Sequence, residues 1–122
     1  MYIPSGKQGY FNILAEFVNG DACWGMDVHF LEDGTGILNA DIEKTFSFEH
    51  NSWFTITVYI ALDLDEASLW LNDDGDIQEI HRWKWTDGYT GLNVSIPQLA
   101  AIDFYGIDES YCFYIDDFRM IE

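Results

Sequence analysis

Residues 53–62, with the sequence WFTITVYIAL, decide the fold of this chain. Their side chains alternate with a period of two, which is the repeat of a β-strand. One face carries Phe54, Ile56, Val58, Ile60 and Leu62, and the other carries Trp53, Thr55, Thr57 and Tyr59. β-Branched and aromatic residues favour a half-buried pleated surface. The stretch therefore predicts a strand that is buried on its even-numbered face.

The same alternation recurs on both sides of this stretch. It is found in residues 10–17, 24–31, 67–71 and 102–105, and residues 111–120 are predicted as a last strand with mixed faces. Turn sequences separate the segments: Asn19-Gly20-Asp21, Asp33-Gly34-Thr35-Gly36, residues 72–76 and Asp87-Gly88. Residues 93–101 hold at most a short helical turn, and Pro97 favours a loop. About eight short strands predict an all-β fold, an antiparallel β-sandwich formed as one domain over residues 1–122.

Composition excludes several classes of protein. The chain has 122 residues, of which 48% are hydrophobic, so it is long enough and apolar enough to bury a core. Its net charge of −17, with only five basic residues, argues against nucleic-acid binding, and no apolar run is long enough for membrane insertion. A solvated acidic surface explains the charge most simply. Calcium binding, salt adaptation or a surface that fits a basic partner are the alternatives.

The N-terminal residues and the two cysteines bear on the compartment. The sequence MYIPSGK at residues 1–7 lacks the basic start and apolar run of a signal peptide. We therefore expect the chain to be either cytoplasmic or a piece of a longer protein. Cys23 and Cys112 are too few for a disulfide framework, and one bridge or two buried thiols both remain open.

The sequence contains no identifiable catalytic pattern, so we do not expect an enzyme. His29, His50 and His81 are scattered, and none has a Cys or a second His at metal-binding spacing. A glycosidase needs a pair of acids, and residues 63–66 (DLDE) supply acids only between two predicted strands, where a turn explains them. Residues 72–76 (NDDGD) resemble a calcium loop, but the first loop position would be Trp70, so a hairpin turn is the better interpretation.

Aromatic residues give two candidate binding surfaces. Trp83 and Trp85 share one face of a predicted strand, with Tyr89 close by. Exposed aromatic faces stack on sugar rings while neighbouring polar groups bond the hydroxyls. The alternative is that both tryptophans fill the core, as large aromatic residues usually do. Trp53 and Tyr59, opposite the apolar face of their strand, form the second candidate surface.

Asp116 and Asp117 are the candidate metal ligands. They lie within the apolar segment 114–118 (YIDDF), where two acids are costly unless they are paired, exposed or bound to a metal. Calcium would satisfy them with carboxylate and backbone oxygens. An exposed face, or hydrogen bonds to a neighbouring turn, would satisfy them equally well.

Six segments, taken in order, resemble a known family. They are residues 9–14, 24–30, 53–65, 83–85, 101–106 and 114–118, and they resemble the laminin-G-like, concanavalin A-like domains of secreted Bacteroidetes proteins. The resemblance covers nearly the whole chain and implies a jelly-roll sandwich, a secreted or cell-surface setting and glycan binding. It also implies that residues 1–4 correspond to an internal strand, that earlier strands of the family domain are absent, and that an open sheet edge could form a homodimer.

Three functions follow from these observations. The favoured one is a non-catalytic carbohydrate-recognition or adhesion module of a secreted or cell-surface bacterial protein, with a glycan or cell-surface polysaccharide as partner. The alternative is a small acidic interaction or inhibitor protein that covers a basic partner, cytoplasmic if Met1 is the true start. A glycoside hydrolase ranks third because no acid pair is identifiable.

Overall fold

A computed structural model describes residues 1–18, 21–89 and 97–121 of the chain. Its strands are β1 (Gly9–Val18), β2 (Asp21–Phe30), β3 (Thr35–Asn39), β4 (Glu43–Ser47), β5 (Phe54–Ala61), β6 (Glu66–Asp73), β7 (Asp76–Trp83) and β8 (Ala101–Phe104), and a short 3-10 helix (Trp85–Asp87) follows β7. The sequence-based prediction of an all-β fold is confirmed. No helix in the described ranges is long and apolar enough to cross a membrane.

The strands form two antiparallel sheets packed as a sandwich. The large sheet has the order β4-β3-β2-β1-β8, and the small sheet has the order β5-β6-β7. Their inner faces meet in one core. The large sheet contributes Phe11, Ile13, Met26, Val28, Phe30, Leu38 and Phe46, and the small sheet contributes Phe54, Ala67, Leu69, Leu71 and Trp83. Burial of these apolar side chains is the main force that holds the sheets together.

β5 has the orientation that its alternation predicts. Phe54 is buried in the core, and Ile56, Val58 and Ile60 pack against the same core from their partly buried positions. The side chains of Thr55, Thr57 and Tyr59 on the other face of β5 are exposed to solvent. Leu62 departs from the prediction, because it lies beyond the end of β5 in the turn to β6 and is exposed.

Two turns confirm sequence-based predictions. β6 and β7 form a hairpin whose central residues, Asp74 and Gly75, have φ angles of 47° and 91°. Positive φ at both central positions is the signature of a type I′ turn, for which Asp-Gly is a favoured sequence. The acids of residues 63–66 likewise lie in or directly after the turn that joins β5 to β6, where Asp65 adopts a φ of 52°.

The predicted strand over residues 111–120 is wrong. The segment makes only isolated bridges, from Tyr111 to Gln8 and from Tyr114 to Tyr2, and is otherwise irregular and mostly exposed. Asp117 has a φ of 53°, a left-handed conformation that an extended strand does not contain. The predicted turn at Asn19-Gly20 and the first part of the segment 93–101 lie outside the described residues. Cys23 and Cys112 are free thiols.

Candidate ligand-binding face

Trp83 and Trp85 do not form a binding surface. Only 4% of Trp83 and 0% of Trp85 is exposed, and both belong to the core. The indole N–H of Trp85 donates to the carbonyl of Gln98 at 2.7 Å, and the far edge of its ring lies against Gly25 of β2. Gly25 has no side chain, and this leaves the space that a tryptophan ring needs. The apolar rings gain more from burial at the end of the sandwich than from exposure.

Tyr89 is partly buried against Trp24 of the large sheet. Its backbone N–H donates to the carbonyl of Trp24 on β2 at 2.9 Å, and the two rings are 5.5 Å apart. Burial, followed by the negative charge of Asp27, raises the pKa of Tyr89. Tyr89 therefore packs against the large sheet, and the cluster that the sequence predicted around Trp83 and Trp85 does not form.

Trp53 and Tyr59 are exposed, as the second candidate surface requires. Exposure is 54% for Trp53 and 50% for Tyr59, and both belong to the face of the small sheet that points away from the core. Trp53 directly precedes β5, and Tyr59 lies near its other end. The outer face of the small sheet is therefore the part of the predicted site that the fold leaves open to a ligand.

An open, shallow groove of about 560 Å³ crosses this outer face. We call it the groove, and it is lined by Thr57, Tyr59, Glu66, Ser68, Trp70, Ile77 and Arg82. The register of the sheet creates it: Thr57 of β5 stands opposite Trp70 of β6, and Tyr59 stands opposite Ser68. Cross-strand partners point to the same side of a sheet, so the two aromatic rings share one surface.

Trp70 is held in place by a hydrogen bond within the groove. Its indole N–H donates to the hydroxyl of Ser68 at 2.9 Å, and Ser68 is buried. Because the N–H is already satisfied, the ring needs no polar partner from solvent or ligand. Its partly exposed apolar face is thus free to make contact with another flat apolar surface.

An ion-pair network forms the polar side of the groove. The Arg82 guanidinium bonds the carboxylates of Glu66 and Glu79, and the Arg82 Nη2 to Glu79 Oε2 distance is 2.7 Å. The hydrogen bond that Arg82 donates to Glu79, supported by the charge of Glu66, raises the pKa of Arg82 above its ordinary value. The three charged groups are exposed and offer hydrogen-bond donors and acceptors at the edge of the aromatic surface.

A β-bulge in β7 brings this network together. Leu69 pairs with His81 and the next residue, Trp70, pairs with Glu79, so Ile80 is an extra residue on β7. Residues three apart in a regular strand point to opposite faces. The extra residue reverses this relation and places Glu79 and Arg82 on the same face. The bulge therefore produces the polar side of the groove.

Asp116 and Asp117 offer no metal site by themselves. Both are exposed on the irregular C-terminal segment, and the backbone N–H of Asp117 donates to the Asp116 carboxylate at 2.9 Å. The argument for a metal depended on two acids placed in an apolar strand, and the strand is absent. The described part of the chain contains no group of three or more His, Cys, Asp or Glu residues that could hold an ion.

A second polar cluster lies on the outer side of the large sheet, but it is closed. Asp27 is 2% exposed, and its carboxylate accepts from Asn39 Nδ2 at 2.7 Å and from the Tyr10 hydroxyl at 3.4 Å. His29 Nε2 is 3.4 Å from the same carboxylate, and the Asn12 amide donates to Tyr10 at 3.3 Å. These groups bond one another in a largely buried network, in which the buried Asn12 Oδ1 has no partner among the described residues, whereas the groove is open to solvent.

The sequence interpretation overlooked Trp70, Ser68 and Arg82 as site residues. A signal for two of them was present, because Ser68 and Trp70 alternate with the apolar Ala67, Leu69 and Leu71 and must lie on the face opposite the core. Arg82 had no such signal, since only the bulge brings it beside Glu79 on the outer face.

No protein-family model, no curated protein and no solved structure matches this chain. The groove and its residues are therefore the basis on which function is argued.

Proposed function

We propose that this chain is a non-catalytic carbohydrate-recognition or adhesion module that binds a glycan in the groove. The observation that carries the proposal is the placement of Tyr59 and Trp70 on one open face, next to the polar side chains of Ser68, Glu66 and Arg82. In this proposal the sandwich is of the concanavalin A-like, laminin-G-like jelly-roll kind and acts as part of a secreted or cell-surface protein.

The chemistry of the groove favours a sugar over other ligands. A sugar ring has an apolar face of C–H groups that stacks on an aromatic ring, and a rim of hydroxyls that both donate and accept hydrogen bonds. Tyr59 and Trp70 supply the stacking surface, and the Arg82 network supplies donors and acceptors. A purely apolar ligand would displace water from the charged groups at its edge without offering them hydrogen bonds.

The electrostatics favour a ligand without negative charge. Two carboxylates, Glu66 in the groove and Glu79 at its edge, bond one guanidinium, and the chain as a whole carries a net charge of −17. Anionic polymers would be repelled on approach. Because the groove is shallow and makes few stacking contacts, we expect a Kd of about 10–1000 μM.

The experiment combines a glycan array with calorimetry on matched variants. Tyr59→Ala and Trp70→Ala each remove one stacking ring, and Phe17→Ala removes an exposed aromatic residue (61%) from the large sheet as a control. A stacked ring contributes about 1–3 kcal/mol in nucleic-acid complexes, so each site variant should weaken binding by about fivefold to 150-fold. Trp70→Phe, which keeps an aromatic face, should recover part of the loss.

Two results would contradict the proposal. One is a wild-type protein that retains no glycan on the array. The other is retention that survives both site variants while their circular dichroism and thermal midpoints match the wild type. A loss in Phe17→Ala equal to the loss in Tyr59→Ala would indicate nonspecific adsorption.

A second candidate function follows from the net charge of −17. An acidic interaction protein that covers a basic partner would bind mainly through long-range electrostatics, so its affinity should fall steeply between low and high salt. Glycan binding by stacking should change little over the same range. Titration at two salt concentrations therefore separates the two functions.

A further inference from the structure

Three aromatic rings continue the outer face of the small sheet beyond the groove. Trp53 contacts Tyr2 with ring centroids 5.6 Å apart, and Tyr2 contacts Tyr114 with centroids 6.1 Å apart. We call these three residues the aromatic ridge. Tyr2 forms a β-bridge to each of the other two, so all three side chains lie in one row across the sheet.

The alternation of buried and outward side chains in each segment shows that the ridge points away from the core. Ile3 and Phe54, which follow Tyr2 and Trp53, are buried in the core. Alternate residues of an extended chain point to opposite sides, so Tyr2 and Trp53 face outward. Trp53 is 54% exposed and Tyr114 is 56% exposed. Such a row of exposed rings leaves apolar surface in water that a ligand could cover.

The ridge and the groove lie on the same surface. The side chains of Trp53, Thr57 and Tyr59 all point to the outer face of the small sheet, because they are separated by even numbers of residues. The rise per residue of a β-strand places Thr57 about 13 Å and Tyr59 about 20 Å from Trp53. Thr55 lies between them on the same exposed face. No element of the described chain interrupts this line, so one long ligand could contact both places.

The ridge rings are not coplanar. The planes of Tyr2 and Trp53 meet at 45°, and those of Tyr2 and Tyr114 meet at 60°. A flat crystalline surface can stack on several rings at once only if their planes are parallel. A single flexible chain, whose sugar units rotate relative to one another, can present a differently oriented face to each ring.

We propose that the groove and the aromatic ridge bind one soluble, uncharged polysaccharide chain, with the ridge as a second subsite. This inference rests on the proposed function, because it assigns the ligand class of the same face. The groove holds one or two sugar units between Tyr59 and Trp70, and the ridge holds units further along the same chain. Linking two weak contacts in one ligand raises the affinity through the effective concentration of the second contact.

The test is an affinity series against oligosaccharides of increasing length. The probes are four neutral soluble polysaccharides (mixed-linkage β-glucan, xyloglucan, glucomannan and galactan) and their oligosaccharide ladders. For the bound polymer, the affinity should rise at least tenfold from the shortest binding oligomer to the octamer, a conservative value for two linked sites. Trp53→Ala and Tyr114→Ala should remove this rise and leave the affinity for the shortest oligomer within twofold.

The variants distinguish failure of the inference from failure of the proposed function. Tyr59→Ala should weaken short and long oligomers alike. Two results would overturn the second subsite alone, provided that the short oligomer binds through Tyr59. One is an affinity that does not rise with oligomer length. The other is a rise with length that survives Trp53→Ala and Tyr114→Ala. Absence of binding to all four polymers and their oligomers counts against both claims. Phe17→Ala again serves as the control for loss of an exposed ring.

Two further polymers test the ligand class. Crystalline cellulose presents a planar surface, and polygalacturonate presents a negatively charged chain. We expect little retention on either. Retention on crystalline cellulose that equals retention of the soluble chains would show that the ridge accepts a flat surface, and tight binding of polygalacturonate would show that the acidic charge does not select the ligand.

Discussion

Gly25→Ala should destabilise the protein because it places a methyl group inside the ring of Trp85. A Cβ at Gly25 would lie 2.1, 2.4 and 2.7 Å from three ring carbons, whereas ordinary contacts lie at 3.4–4 Å. The ring would have to retreat by more than about 1 Å. Trp85 is fully buried, and its N–H is bonded to the Gln98 carbonyl at 2.7 Å, so it cannot retreat without cost.

The magnitude follows from three contributions. Overpacking of a core costs about 1–3 kcal/mol. Loss of the hydrogen bond to Gln98 adds roughly 1 kcal/mol. Replacing glycine by alanine within a strand returns about 0.5–1 kcal/mol. We therefore expect the free energy of unfolding to fall by about 1–3 kcal/mol, measured by urea denaturation followed by far-ultraviolet circular dichroism.

A double-mutant cycle makes the prediction specific. Trp85→Phe removes the outer ring atoms that meet the new methyl group, so Gly25→Ala should cost less than about 0.5 kcal/mol in that background. The expected coupling between the two sites is about 1 kcal/mol or more. A Gly25→Ala protein as stable as the wild type, or equal costs in both backgrounds, would refute the placement of Trp85 against Gly25.

Three other predictions concern stability. Burial, with the charge of Asp27 contributing further, raises the pKa of Tyr10 above the ordinary 10.0. The Tyr10 hydroxyl therefore loses its proton at a lower pH in the unfolded chain than in the folded one, and the free energy of unfolding falls as the pH rises above 10. Tyr10→Phe should weaken this pH dependence, measured by urea denaturation. The Asp65 carboxylate accepts hydrogen bonds from the backbone N–H of Thr86 at 2.9 Å and from the Thr86 hydroxyl at 2.7 Å. Asp65→Asn should lower the free energy of unfolding by about 1–2 kcal/mol in the same urea assay. An unchanged midpoint of urea denaturation would exclude a role for the carboxylate. Gly75→Ala, at a φ of 91°, should cost about 1 kcal/mol of unfolding free energy, whereas Asp74→Asn should be neutral because asparagine tolerates positive φ.

Sequence periodicity predicted β1, β2, β5, β6 and β8 but not β3 and β4, and it could not assign every face. β5 has a clear contrast between an apolar and a mixed face, and the structure confirms which one is buried. Trp83 and Trp85 carry no such contrast, since tryptophan fits both a core and a binding surface. The burial of Trp85 depends on Gly25, which is distant in sequence and belongs to the large sheet. Only the three-dimensional contact decides between the two interpretations.

Local irregularity limited the prediction of the site. No sequence signal identifies the β-bulge in β7. The extra residue Ile80, and the placement of Glu79 and Arg82 on the same face, were therefore not predictable. The prediction of a strand over residues 111–120 treated Asp116 and Asp117 as costly in an apolar strand. Both acids are exposed in irregular structure and pay no such cost.

The most direct test of the account is a chemical-shift map of the backbone and indole N–H groups during titration with the bound oligosaccharide. If the ligand binds in the groove, the chemical-shift changes should concentrate on β5, β6 and β7 around Tyr59, Trp70 and Arg82, and should include the Trp70 indole N–H. Shifts confined to the large sheet around Asp27 and His29, with the Trp70 signal unmoved, would contradict it.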